Sequence, residues 1–106
     1  MDQSRAFEVV KKYIEYLKNN KFNIKKAYIF GSYANGKFDD NSDIDLAIIL
    51  NNISNGFILQ VQLMKISRKF DTRIEPHPFD VADFDTSNPF ANEIISKGIR
   101  IDTDSA

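Results

Sequence analysis

The chain has no cysteine, no excess of either charge and no long apolar run, and each absence removes a class of protein. Without thiols there is no disulfide framework and no thiolate zinc site, and nothing argues for an oxidising compartment. With 14 basic residues against 15 acidic ones and a net charge of -1, the phosphate neutralisation behind tight duplex binding is missing. Direct nucleic-acid binding is therefore not expected. No apolar segment approaches a bilayer-spanning length, and Met1-Asp2-Gln3-Ser4-Arg5 leads into a charged amphipathic run rather than the apolar stretch of a secretion signal. The expectation is a soluble cytoplasmic protein with no membrane role. Repeats, low-complexity tracts and linkers are also lacking, and 106 residues suit one domain over 1–106 with a single core.

What is present alternates between helical and extended patterns. Phe7, Val10, Tyr13, Ile14 and Leu17 recur at helical spacing, with Asp2 or Ser4 available as N-cap and an end near Asn19-Asn20. Ala27 to Phe30 is short, aromatic and β-branched, and reads as a strand stopping at Gly31. Gly31 to Ser42 is loop with one helical turn over 32–35. Asp43 to Leu50 is a second strand, apolar on both parities in its latter part, as in a central strand covered on both faces. Ile58, Val61, Leu63, Met64 and Ile66 predict a helix over 57–70, with its apolar face in the core. The prolines of Ile74-Glu75-Pro76-His77-Pro78-Phe79 restrict that extended segment to a sheet edge. Asn88-Pro89 opens a last helix, whose face of Phe90, Ile94 and Ile95 is likewise assigned to the core and which Gly98 ends. Ile99 to Ile101 adds a short tail strand. The fold class is α/β, a small mixed sheet of three to four strands packed with three to four helices.

One segment carries chemistry. Gly31-Ser32 is followed, after ten residues, by Asp43-Ile44-Asp45 at the head of an apolar strand. A Gly-Ser turn offers backbone N–H groups and a hydroxyl to phosphate oxygens, and carboxylates two apart on a strand point the same way. Two familiar loops are imitated within it. Gly31 to Lys37 matches the first seven positions of a P-loop, but the eighth is Phe38, without a hydroxyl for Mg²⁺, and a strand follows where a long helix is required. Asp39, Asn41 and Asp43 imitate the opening of a calcium loop, but Ile44 stands where glycine must turn and Leu50 where a bidentate Glu must bind.

Both halves make sense together in nucleotidyl transfer, which requires a hold on the triphosphate and carboxylates for two Mg²⁺ ions about 4 Å apart. Asp43 and Asp45 supply two carboxylates, and Glu75, an acid flanked by Ile74 and Pro76 in the third strand, is the best candidate for the third. His77 shares the parity of Glu75, yet reads more readily as a structural histidine and is left outside the site.

Gly31 to Gly36, Ser42 to Leu46 and Ile74 to His77, with the element order and the size, resemble the minimal nucleotidyltransferase family, the single-domain branch of the DNA polymerase β-like superfamily. The resemblance implies that Gly31 and Ser32 bind the triphosphate of ATP, that Asp43 and Asp45 bind Mg²⁺, and that Glu75 completes a metal-binding, catalytic trio. Many members carry Arg where this chain has Asn35, which takes one cation from the phosphate contacts. The resemblance further implies an antitoxin of a toxin-antitoxin system, an enzyme that transfers AMP to a tyrosine of a HEPN-domain RNase toxin in a hetero-oligomer or beside a homo-oligomer. With 106 residues and no further domain to hold an acceptor, the acceptor is expected on a partner protein. Two alternatives stand beside it: a nucleotide- or metal-binding antitoxin that acts by occlusion alone, and a nucleotidyltransferase for a small hydroxylated molecule.

Overall fold

A computed structural model of the chain describes residues 1–102; the last four positions of the expected 1–106 domain lie outside the described residues. The first amphipathic pattern becomes α1, Gln3–Asn19, whose N-cap Asp2 accepts a hydrogen bond from the Arg5 backbone N–H at 2.8 Å. Ala6, Val10, Tyr13, Ile14 and Leu17 form its buried stripe. Strand β1, Ile24–Phe30, begins three residues before the expected Ala27, because Ile24 and Lys26 pair with the far end of β2 although Lys25 and Lys26 face water. The helical turn predicted over 32–35 is α2, Ser32–Asn35. Then come β2, Ile44–Leu50, α3, Gly56–Ser67, and β3, Ile74–Asp80. A 3₁₀ turn over Val81–Asp83 leads to α4, Pro89–Lys97, and β4, Ile99–Arg100.

The four strands form one mixed sheet in the order β3-β2-β1-β4. β1 runs antiparallel to β2 and β4, and β2 runs parallel to β3, with α3 as the crossover. This is the α/β class expected from the sequence. β3 is at the edge, where Pro76 and Pro78 remove the fewest ladder hydrogen bonds. β2 is central, and its alternating residues bury against different layers. Ile44, Leu46, Ile48 and Leu50 join the α1 stripe, Ile29, Leu63 and Ile74 on one side. Ala47 and Ile49 join Tyr28, Phe84, Ala91 and Ile94 of the α4 side.

α1 and α3 are tied by the buried Tyr13 hydroxyl, which donates to the Leu63 carbonyl at 2.7 Å; burial pushes the ionisation of that phenol well up. The expectation that the apolar face of α3 belongs to the core needs correction. Leu63 and Ser67 are its buried residues, whereas Phe57, Ile58 and Val61 are 77%, 54% and 38% exposed. A helix apolar nearly all round has more such surface than one packed arc can cover. Phe90 of α4 is similarly half-exposed while Ala91 and Ile94 are buried.

α4 is placed by its ends. Asn88 accepts hydrogen bonds from the backbone N–H groups of Phe90 and Ala91, with Pro89 in the first turn. At the other end, a Cβ on Gly98 would stand 2.5 Å from the Ile94 carbonyl oxygen and 3.1 Å from that of Ile29. Glycine there lets α4 turn straight into β4 against β1. Among the described residues no helix is long and apolar enough to cross a membrane.

Candidate active site

The strand directions decide where the polar residues meet. Because β2 is antiparallel to β1 and parallel to β3, the end of β1 and the starts of β2 and β3 lie at the same end of the sheet. Phe30 pairs with Asp45, Asp45 with Glu75, and Ala47 with His77, so these side chains share the face on which α4 packs. The aromatic ring of Phe30 contacts His77 at 5.3 Å between centroids and Phe90 at 5.6 Å. Beyond that aromatic rim the α4 cover ends, and Asp45, Glu75 and His77 are half-buried.

The three carboxylates expected from the sequence converge. Asp43 lies one residue before β2 and is exposed, and its carboxyl is within hydrogen-bonding reach of that of Glu75. Glu75 is held above its ordinary carboxyl range, chiefly by burial and then by the hydrogen bond with Asp43, with the charges of Asp45 and Asp43 adding and His77 opposing. His77 Nε2 is 3.4 Å from Asp45 Oδ1 and 3.8 Å from Glu75 Oε1. One ligand atom from each of Asp45, Glu75 and His77 lies within 4.8 Å of the others. Two carboxylates and an imidazole around one point, with negative charge that raises the proton affinity of Glu75, suit a divalent cation. Asp43 is joined to this set through Glu75. His77, which sequence reasoning set aside, is part of it; its parity with Glu75 was the available signal, but its nearness to Asp45 follows from the parallel register.

The Gly-Ser turn lies against the same carboxylates. Gly31 has φ 73° and ψ −146°, and a Cβ there would stand 2.5 Å from Asp45 Oδ2. Both the left-handed backbone and the close approach require glycine. Ser32 opens α2 and is partly exposed. α2 ends at Gly36 with φ 81°, and Asn35 Oδ1 accepts from the Lys37 N–H at 2.9 Å, so Asn35 shapes the turn.

The residues that imitate other loops have structural uses. Phe38 stacks on the buried ring of Tyr33 at 4.4 Å and 11°. Asp39 accepts from the Asn41 N–H at 2.8 Å and its own N–H donates to Ser42 Oγ at 2.9 Å, which closes the loop before Asp43.

Comparison with known proteins gives the same fold. Residues 11–105 match the family described as polymerase beta, nucleotidyltransferase. Among solved structures, a candidate nucleotidyltransferase from Sulfolobus solfataricus is similar at 23% identity and TM-score 0.67, over 92% of this chain and 80% of that one. A toxin-antitoxin structure with AMP-PNP is similar at 23% identity and TM-score 0.66, over 90% and 74%. The toxin-antitoxin MntA-HepT is similar at 22% identity and TM-score 0.57, over 87% and 68%. No curated protein matches significantly.

Proposed function

Because the chain belongs to the polymerase beta nucleotidyltransferase family, we propose that residues 1–106 form one nucleotidyltransferase domain that transfers AMP from ATP to a hydroxyl of a partner protein. The observation that carries this reading is the convergence of Asp43, Asp45 and Glu75 beside Gly31, from three strand ends that share one end of the sheet. The Gly31 backbone and the Ser32 hydroxyl hold the triphosphate. Asp43, Asp45 and Glu75 would hold two Mg²⁺ ions, which would supply neutralisation of charge on the phosphoryl oxygens. The acceptor oxygen forms a bond to the α-phosphorus as the bond to the β-phosphate oxygen breaks and pyrophosphate leaves. In this reading the acceptor proton passes to the Glu75 carboxylate, the third acidic group of the site.

The proposed acceptor is a tyrosine of a HEPN-domain RNase toxin, and the chain is then its antitoxin in the cytoplasm. Two of the similar structures are toxin-antitoxin structures, one holding AMP-PNP. The open ledge of half-exposed carboxylates is accessible to a side chain carried by another protein. The exposed Phe57 and Val61, with Met64, Lys65 and Arg68, line a groove of about 370 Å³ on α3 that suits the body of such a partner. That groove also favours a second reading, neutralisation by occlusion alone.

The test uses the purified chain, its partner toxin and ATP labelled at the α-phosphate. Label should appear on the toxin with the wild-type chain and vanish with Asp43→Asn combined with Asp45→Asn. Toxin that is neutralised without label supports occlusion, and label that survives the double substitution refutes the site.

A further inference from the structure

We infer that His77 is a ligand of the divalent cation, so that the site is a mixed nitrogen-oxygen centre with a preference for Mn²⁺ over Mg²⁺. The inference rests on the metal reading above and adds a residue that the carboxylate trio does not contain.

His77 Nε2 is buried and has no hydrogen-bond partner. Buried polar atoms are nearly always satisfied, and the few that are not call for a missing partner. The nearest acceptors, at 3.4 Å on Asp45 and 3.8 Å on Glu75, are beyond the usual N–H···O range of about 2.7–3.2 Å. They fit a different relation. Two donor atoms each about 2.1–2.2 Å from a shared cation, at ordinary coordination angles, stand about 3.0–3.8 Å apart. The position is enforced by the fold: parallel pairing sets His77 beside Ala47, two residues along from the Asp45–Glu75 pair, and its ring packs against Phe30 in a tilted, T-shaped contact.

An imidazole nitrogen changes which cation the site prefers. Mg²⁺ is hard and favours oxygen in near-ideal octahedral geometry. Mn²⁺ lies further along the scale toward nitrogen donors and is still at home among carboxylates. Replacing one oxygen by Nε2 therefore weakens the site for Mg²⁺ relative to Mn²⁺.

The test is direct because His77 is the chain's one histidine. Untagged full chain is titrated with Mn²⁺, binding is followed by electron paramagnetic resonance, and pulsed measurements look for coupling to ¹⁴N of imidazole. The expected result is a nitrogen signal in the wild type that disappears in His77→Gln, with Mn²⁺ affinity falling at least about tenfold. His77→Asp should bind Mn²⁺ without the nitrogen signal and should shift the Mn²⁺:Mg²⁺ affinity ratio toward Mg²⁺. Mn²⁺ that binds the wild type without imidazole coupling overturns the inference and leaves the metal reading standing. So does His77→Gln binding Mn²⁺ as tightly as the wild type or more so, the behaviour of an imidazole that merely pairs with the carboxylates. Mn²⁺ binding that ignores Asp45→Asn removes both the inference and the metal reading.

Discussion

The two faces of β2 share one hydrogen-bonded ladder and differ in what closes over them. On one, Ile44, Leu46, Ile48 and Leu50 are sealed by the 17-residue α1 together with α3. On the other, the nine-residue α4 and Phe84 cover Ala47 and Ile49 and stop short of Asp45. Alternation along one strand thus gives a closed core and an open ledge for charge. A carboxylate at Leu46 would be buried without a partner; at Asp45 it retains water, a neighbouring carboxylate and an imidazole. The comparison teaches that the candidate site occupies the place where a short helix runs out.

The largest effect expected from this contrast is on chemistry. Asp45→Asn should reduce AMP transfer by at least about 10³-fold, roughly 4 kcal/mol of barrier, while thermal unfolding stays within a degree or two or rises. If transfer proceeds at more than a tenth of the wild-type rate, the ledge is not the reacting site. The adjacent Leu46→Ala should do the reverse. It empties a fully buried position and should cost about 2–5 kcal/mol in denaturant melts, with transfer per folded molecule largely kept. A cost under about 1 kcal/mol would mean that this face is not the load that holds the sheet.

Gly31→Ala affects both stability and chemistry on the open face and comes next in size. The positive φ and the 2.5 Å approach to Asp45 Oδ2 predict a loss of about 1–3 kcal/mol of stability and a disproportionate fall in transfer, because the side chain that must move is Asp45. A variant as stable and as active as the wild type would show that the turn relaxes freely.

Much of this was legible in the sequence, and for local reasons. The turn at 32–35, the Asn88-Pro89 start of α4 and the edge placement of β3 follow from residues that restrict their own backbone. The parity of Asp45 was readable because polar residues mark the phase of an otherwise apolar strand, whereas Asp43, expected to open that strand, lies one residue before it. What escaped depends on partners far along the chain. The helical spacing of 57–70 identifies α3, yet says nothing about which arc meets the sheet when Phe57, Ile58, Leu59, Val61, Leu63, Met64 and Ile66 are all apolar. Lys25 and Lys26 hide the first half of β1, since pairing of Ile24 and Lys26 with β2 rather than burial keeps that stretch extended. His77 reaches Asp45 by the register of a parallel pair, which no local pattern encodes. The sequence around Gly31 points to phosphate alone, and its contact with Asp45 is likewise a matter of tertiary approach.

The smallest expected effect is the sharpest test of the ledge as a place where burial and neighbouring carboxylates work against one more negative charge. Glu75 has its proton affinity raised in the folded chain, first by burial, then by its bond to Asp43 and the neighbouring carboxylates. A group whose folded pKa lies above its unfolded value contributes stability that is fully present below the unfolded pKa and lost as pH rises through the folded one. Ionised Glu75 should therefore weaken the metal-free fold at neutral pH, and Glu75→Gln should be the more stable protein there. Its side chain is 40% exposed, so water screens the effect to under about 1 kcal/mol. The two proteins should converge as pH falls below the ordinary glutamate range and separate as it rises through the folded pKa. A divalent cation at saturating concentration should invert the order, because binding stabilises the folded wild type by mass action and Glu75→Gln has lost a ligand. Melting curves at acid and neutral pH, each with and without Mn²⁺, read all four corners. If Glu75→Gln is less stable than the wild type at neutral pH without metal, an ionised Glu75 does not cost the fold, and the contrast with the sealed face reduces to solvent exposure alone.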